Sequence, residues 1–321
     1  MKSDSNALVS IVIVTSGSKD YLWRCLDSVK AQSYPDLEVV VIDNSLNPDF
    51  SARIRESFTF IRLYSSPQNL YYGSSLNKGI QLSRGEFILC LNDDVFLDKE
   101  FVSEALKGFL IQDSIGMVSG KILRADGLTL DSTGLFLSLW RTARERGYGR
   151  PDTGQFEKAG FIFGVSGAAA FYRKKMLEEI RQGRDYFDPD FCMFYEDLDI
   201  SWRANNRAWQ AYYIPHAKAF HVRGGSLRPD SGLGRPIARK YLSDQLHGDL
   251  IKNRYLTILK NESFLGLFMH LVPIILYDLC AWAYVLFFRR KVIKIFLGNA
   301  KCFPGVIMKF FRRNIRPCSA L

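Results

Sequence analysis

The sequence has no C-x-x-C pair, no G-x-G-x-x-G or G-K-[ST] loop, no long apolar run near its start, and no acidic residue after Asp278. Each absence removes a class of protein. Its six cysteines (Cys25, Cys90, Cys192, Cys280, Cys302, Cys318) lie far apart, several inside apolar runs. Neither a zinc site nor a disulfide framework is indicated, and a reducing cytosol is expected. Residues 1–7 are polar and the run after them is too short for a signal-peptide core, so nothing directs the chain to secretion. A phosphate-bearing ligand, lacking a glycine loop, needs a cation instead. The missing acids also locate the charge. Of the formal +10, nine cations follow Asp278 and leave the rest of the chain near +1. A near-neutral body with a basic tail points to an anionic membrane surface and away from nucleic acid.

What is present begins with size: 321 residues at 47% hydrophobic composition hold one large α/β domain, alone or with an appendage. The chain is organised around Leu89-Cys90-Leu91-Asn92-Asp93-Asp94-Val95. Residues 87–91 read as a strand buried on both faces, and Asp93 and Asp94, which cannot stay buried unpaired, must emerge at its C-terminal end. In open α/β sheets that end binds ligands, and paired hard oxygens there suit Mg²⁺ or Mn²⁺ carrying phosphates. A polar turn after a strand is the plainer alternative.

Earlier in the chain, 9–14 and 37–42 are β-branched runs ending in Thr15-Ser16-Gly17-Ser18 and Asp43-Asn44-Ser45. Between them Leu22, Cys25, Leu26 and Val29 recur at helical spacing, with Ser18 as N-cap. Residues 58–63 read as a third strand, followed by Asn69, Gly73 and a helix from Ser74 or Ser75 to Leu82 that carries Asn77 and Lys78 in its early turns. Four strand-like runs with helices between them make a doubly wound, nucleotide-binding half. Beyond it, 101–111 is a helix and 115–118 a short strand. Residues 140–156, with Arg141, Arg144, Arg146 and Arg150 among glycines, read as a mobile loop that either closes over a diphosphate or is simply solvated. The small residues at 166–170, Gly167 and Ala168 among them, either admit a bulky ligand or permit tight packing.

A second acidic cluster, Glu196, Asp197 and Asp199, lies among Phe191, Phe194, Tyr195 and Trp202. Asp199 and Arg203 are four apart and can pair on a helix. A carboxylate at the edge of an apolar pocket is how a general base is held poised, and Asp197 is the candidate. His221 follows a strand-like run from Pro215; it is either a packed histidine or a nitrogen ligand to the metal.

These segments, taken in order, resemble a family 2 glycosyltransferase of the GT-A fold, near the bacterial rhamnosyltransferase-like branch, over about residues 8–260. Val14-Thr15-Ser16-Gly17 stands at the family's opening strand and Ile42-Asp43-Asn44-Ser45 at its V-D-N-x-S. Asn69 to Asn77 matches its asparagine and glycine segment. Asn92-Asp93-Asp94 stands at the D-x-D signature, and residues 196–203 give E-D-x-D-x-x-W-R in full. Pro215, Ala217, His221, Gly224 and Ser226 match the motif that closes the domain.

The resemblance implies a mixed sheet flanked by helices, and a nucleotide-sugar site of Thr15, Asp43, Asn44, Asn69, Asn77 and Asp93. It implies a Mg²⁺ or Mn²⁺ on Asp94 completed by His221, and Asp197 as base beside Glu196. Gly167, Ala168, Arg146 and Trp202 would serve the acceptor or a covering loop. The implied reaction is inverting transfer of a sugar, L-rhamnose from its dTDP donor or a hexose or galactofuranose from UDP, to a lipid-linked or polysaccharide hydroxyl. A nucleotidyltransferase and a catalytically inactive membrane scaffold are the rival classes.

Residues 264–288 are apolar apart from His270, Pro273 and Asp278, long enough to span a bilayer, though an Asp inside costs roughly 2.5–3.5 kcal/mol on insertion scales. The expectation is a tail over 261–321 that associates with the inner membrane's cytoplasmic face through helices in the leaflet, after a catalytic domain over 1–260. A true span and a soluble packed helical pair are the alternatives.

Overall fold

The computed structural model describes residues 7–17, 21–223 and 242–315. Ser18, Gly224 and Ser226 lie outside the described residues. In chain order the elements are β1 (Val9–Thr15), α1 (Tyr21–Lys30), β2 (Leu37–Asp43), α2 (Pro48–Ser57), β3 (Ile61–Ser65), α3 (Tyr71–Leu82), β4 (Phe87–Asn92), β5 (Val95–Leu97) and α4 (Phe101–Phe109). There follow β6 (Ile115–Arg124), β7 (Leu130–Ser132), β8 (Leu135–Leu137), β9 (Ala143–Glu145), β10 (Gly160–Ile162), β11 (Ala169–Arg173), α5 (Lys174–Ile180), α6 (Glu196–Asn205) and β12 (Gln210–His221). The C-terminal part is helical: α7 (Asp244–Asn261), α8 (Phe264–Met269), α9 (Leu271–Phe288), α10 (Lys291–Asn299) and α11 (Phe303–Ile315).

One mixed sheet runs β10-β12-β6-β11-β4-β1-β2-β3, with β5 on β12 and β7 on β6. Strands β3, β2, β1 and β4 are parallel, and β11 enters antiparallel beside β4. Each parallel strand alternates between two cores. In β1, Val9, Ile11 and Ile13 face one apolar cluster with α1 and α2, while Val12 and Val14 face another with α3. That two-sided burial is why the strands read as unbroken apolar runs. Helix α3 lies so close to β1 that a Cβ on Gly79 would meet Val12 Cγ1 at 2.2 Å. The mixed α/β fold agrees with the expected class.

Several boundaries differ from the sequence reading. Helix α2 was not expected; Asn47 caps it by accepting from Asp49 and Phe50, and Pro48 starts it without needing its missing N–H. Phe58 closes that helix, so the third strand begins at Ile61, not 58. Helix α3 starts at Tyr71, earlier than Ser74, because Tyr71 takes a left-handed turn whose N–H is accepted by Asn69 Oδ1 at 2.8 Å. Strand β6 has ten residues, where a short strand was expected, and pairs with β12 along most of its length. Residues 140–156 are not a free loop: β9, inside them, pairs with β8 just before them. The apolar stretch 264–288 is not one helix, since α8 and α9 part at His270.

Candidate active site

The parallel register decides what stands together. Thr15 pairs with Asp43, Asp43 with Ser65, and Val14 with Asn92, so three strand ends bring Thr15, Asp43 and the Asn92-Asp93-Asp94 turn to one edge of the sheet. Thr15 Oγ1 donates to Asp93 Oδ2 at 2.7 Å. Burial, with Asp94's charge beside it, outweighs that bond and lifts Asp93 to about 6. Asp43, 1% exposed, accepts from Ser45 N–H and Ser51 Oγ. Asn44 Nδ2 donates to Ser75 Oγ at 2.6 Å, which ties the β2 end to α3.

Asp94 meets His221 because β5, which follows Asp94 directly, pairs with the end of β12. His221 Nε2 is 3.2 Å from Asp94 Oδ1, and its Nδ1 is 2.8 Å from Asp131 Oδ2. Arg223 binds the other oxygen of Asp131, which is fully buried. Burial works against the imidazolium, yet the two carboxylates outweigh it and hold His221 at about 9. An imidazole oriented by a buried carboxylate is the arrangement in which histidine ligates a metal. Among the described residues no group of three or more His, Cys, Asp or Glu surrounds one point. Asp94 and His221 therefore fit a hard divalent ion that takes its other ligands from phosphate oxygens and water, and they do not form an all-protein cage.

The second acidic cluster is linked to the Asn92-Asp93-Asp94 turn through Tyr72 and Gly167. Phe194 and Tyr195 both take left-handed backbone, with φ of 72° and 73°, and Glu196 and Asp197 then start α6. Asn253 of α7 holds that turn by donating to the carbonyls of Met193 and Phe194 at 2.8 and 2.9 Å. Asp197 accepts from Gly167 N–H at 3.2 Å and from its neighbour Leu198 N–H at 2.8 Å. Burial raises Asp197 above the ordinary carboxylate range in spite of these donors, and it raises Glu196 with Asp197's charge adding to it. Glu196 Oε2 is covered and has no hydrogen-bond partner among the described residues.

Tyr72 joins the two clusters. Its hydroxyl is 2.7 Å from Asn92 Oδ1 and 3.0 Å from the Gly167 carbonyl, and burial followed by the charges of Cys90, Glu196, Asp197 and Asp94 pushes its ionisation well above the usual tyrosine range. A second bridge is Glu145, which accepts from Ser132 and Ser166. Burial lifts it to about 7 against the Ser132 bond, with Asp197 and Arg223 both in its surroundings.

The match to known proteins follows this geometry. Residues 10–181 match the family described as glycosyl transferase family 2. The chain belongs to that family. It is 22% identical over 221 residues to the poly-beta-1,6-N-acetyl-D-glucosamine synthase of Staphylococcus epidermidis, covering 65% of this chain and 48% of that protein. It thus spans about half the length of the curated relatives it matches. Among solved structures it is similar to GalNAc-T7 with UDP, GalNAc and Mn²⁺ (TM-score 0.59, 14% identity, 79% of this chain and 48% of that one). It is also similar to the mannosyltransferase PcManGT of Pyrobaculum calidifontis with GDP-Man and Mn²⁺ (TM-score 0.53, 14% identity, 94% and 76%). The shared fold is the GT-A glycosyltransferase fold.

Against that family pattern, four expected site residues are placed elsewhere by the structure. Asn77 sits mid-helix with every polar atom engaged: Oδ1 accepts from Tyr186 and Phe187 N–H, and Nδ2 donates to Phe187 O and Asp185. It clamps residues 185–187 and has nothing left for a nucleotide. Arg146 donates to Thr133 Oγ1 and carbonyl and lies over Phe136, Phe156 and Tyr213, so it cannot swing over a diphosphate. Trp202 is 5% exposed, against Phe163 and Arg141, and packs where an acceptor contact was expected. Ala168 is likewise buried, its carbonyl taken by Asn92 N–H. Gly167, by contrast, faces Asp197, and Lys78 lies over Tyr64 as a surface cation.

Sequence reasoning missed Tyr72, Asp131, Glu145, Arg223 and Asn253. Each reaches its partner across 13 or more residues of separation, and no local spacing marks such a pairing.

Proposed function

We propose that this chain is an inverting, metal-dependent glycosyltransferase that moves a sugar from a pyrimidine nucleoside diphosphate to a hydroxyl of a lipid-linked or polysaccharide acceptor at the cytoplasmic face of the inner membrane. The observation that carries the reading is Tyr72, whose one hydroxyl contacts both the Asn92-Asp93-Asp94 turn and the loop that donates to Asp197. The donor's leaving group and the acceptor's proton are then handled on facing walls of one crevice.

Thr15, Asp43, Asn44 and Asn69, at the ends of β1 to β3, line the side where the nucleoside would lie, and Asp93 the side of the ribose or sugar. Asp94 and His221 would hold Mg²⁺ or Mn²⁺, which supplies Lewis-acid stabilisation of the departing diphosphate. Asp197 accepts the proton of the acceptor hydroxyl while that oxygen bonds to the anomeric carbon and the carbon–phosphate-oxygen bond breaks. The Gly167 and Leu198 N–H groups fix the Asp197 carboxylate for this step. General-base help of this kind is worth about 10²–10⁴-fold. The absence of a second nucleophilic carboxylate in the proposed step gives inversion. Burial, with the charge of Asp197 adding to it, keeps the neighbouring Glu196 carboxyl protonated up to about 8, so Asp197 is the carboxylate free to accept the proton.

L-Rhamnose from dTDP-rhamnose is the first donor to test, on the strength of the motif resemblance. A UDP-linked hexose or galactofuranose is the second reading, favoured by the UDP named in GalNAc-T7. A panel of nucleotide sugars with Mn²⁺ or Mg²⁺, scored for nucleoside diphosphate release and product anomer, tests it. Pyrophosphate release would make the chain a nucleotidyltransferase, and no donor binding would make it an inactive scaffold. Asp197→Asn is expected to keep donor affinity and lose at least 10²-fold in kcat; normal turnover in that variant would remove Asp197 from the mechanism.

A further inference from the structure

Helix α9 is long and apolar enough to cross a membrane. Its 18 residues rise about 27 Å, close to the roughly 30 Å of a hydrocarbon core. What the helix touches argues for another orientation.

One face of α9 is fastened along α7. Asp278 pairs with Arg254 at 2.7 Å, Trp282 Nε1 donates to Tyr255 OH at 2.8 Å, Tyr284 stacks on His247, and Val285 is buried with Ile251 and Val292. These contacts span more than two turns on the side facing the protein. Helix α7 is itself packed with polar groups: Asp249, Lys252, Asn253 and Arg254 are all buried, and Lys252 donates to the Asp190 carbonyl. A perpendicular α9 must either tear from α7 or drag these charges into hydrocarbon. The latter carries a penalty of roughly a hundredfold per charge on insertion scales.

The opposite face is apolar and open. Leu265 and Phe268 of α8, Val272, Leu279 and Phe287 of α9, and Leu297 of α10 are 69, 79, 66, 62, 76 and 65% exposed. Soluble monomers rarely present such a surface across three consecutive helices. The occupant is set by charge. Lys291, Lys294, Lys301, Lys309 and Arg312 are exposed on the same helical region, and no acid follows Asp278, which is already paired. An apolar surface studded only with cations is complementary to an anionic bilayer.

We propose that α8 to α11 rest on an anionic lipid bilayer with α9 lying in the membrane plane, so that the chain is monotopic and α9 does not cross. This deepens the membrane location given above and is independent of the sugar chemistry. Cys280 sits exposed on the lipid-facing half of α9 and serves as a probe.

In the test, the full chain is floated with phosphatidylglycerol or phosphatidylcholine vesicles. Expected is at least tenfold preference for phosphatidylglycerol, weakened in 0.5 M NaCl, and at least tenfold loss of binding in Phe287→Asp/Phe288→Asp. Donor hydrolysis without vesicles is unchanged in that variant. Single-cysteine chains labelled at Cys280, Val272→Cys and Leu286→Cys are then quenched with shallow and deep doxyl lipids. Equal shallow quenching at all three supports the in-plane helix; deep quenching at 280 with shallow ends overturns it in favour of a span. No flotation overturns the membrane reading while leaving the transferase assay to stand by itself. Protection of Cys280 by raised protein concentration alone assigns the face to a second copy and also overturns it.

Discussion

Asn253→Ala is the most informative single change, because Asn253 touches none of the acids yet sets where two of them point. Phe194 and Tyr195 occupy the left-handed region that costs roughly 1–2 kcal/mol per residue for side-chain-bearing residues. Two hydrogen bonds from fully buried Asn253 hold that turn, each worth about 1 kcal/mol net and more when a buried carbonyl is stranded. Removing them takes away about 2–3 kcal/mol, comparable with the strain stored in the turn. The segment is then free to relax, and Asp197 moves with it. A shift of about 1 Å at a reacting group costs on the order of 10²-fold in rate. The expected outcome is a fall of about 10²-fold in kcat, a donor KM within about twofold of wild type, and a Tm lowered by about 3–5 °C. Steady-state transfer kinetics, calorimetric donor titration and thermal unfolding measure the three. Asn77→Ala is the control: it removes a buried clamp of similar size and should lower Tm with kcat unchanged. Wild-type kcat in Asn253→Ala, with the Tm fall present, would refute the positioning role.

Asp131→Asn should raise the Mn²⁺ concentration for half-maximal activity about 10–100-fold, since Asp131 orients His221 and does not face the ligand; metal titration of activity measures it. Glu196 keeps its proton up to about 8 beside the Asp197 charge, so Glu196→Gln should leave the acid limb of the pH–kcat profile, which Asp197 sets, in place; a limb moved to lower pH would show Glu196 charged beside Asp197. Glu145→Gln tests stability. The folded state holds the Glu145 proton up to about 7, above the unfolded value, so native stability falls as pH rises from about 4.5 to 7 on account of this group. The glutamine variant lacks that loss, and its Tm relative to wild type should rise between pH 5 and pH 8.

The parallel half of the sheet was legible because β1, β2 and β4 are buried on both faces and leave apolar runs with polar residues at their ends. The same logic placed Asp93 and Asp94 outside the sheet, and the spacing of Asp199 and Arg203 marked the helix that carries Asp197. Helix α2 was hidden because only Phe50 and Ile54 of its apolar residues are buried, too few for a periodic signal. Arg146 misled for a physical reason: a cation among glycines looks solvated, yet three aromatic rings that are remote or merely nearby in sequence enclose it. Trp202 misled in the opposite way, since a tryptophan in a site motif can be part of the wall behind the acids. The Asp131, His221 and Arg223 set could not be read at all, because β7 and β12 each pair with β6, and their side chains meet across it.

The polar interior of α7 has a practical corollary. An obvious way to make this chain easier to handle is to end it near residue 260, where the sequence turns apolar. That cut would unroof Ile251 and Leu256, and remove Asp278, the partner that neutralises Arg254. Trimming would therefore loosen the beam against which the base-bearing helix is braced, Asn261 to Asp199 included. Single polar replacements on the greasy outer rim, leaving the backbone whole, are the gentler route to a tractable enzyme.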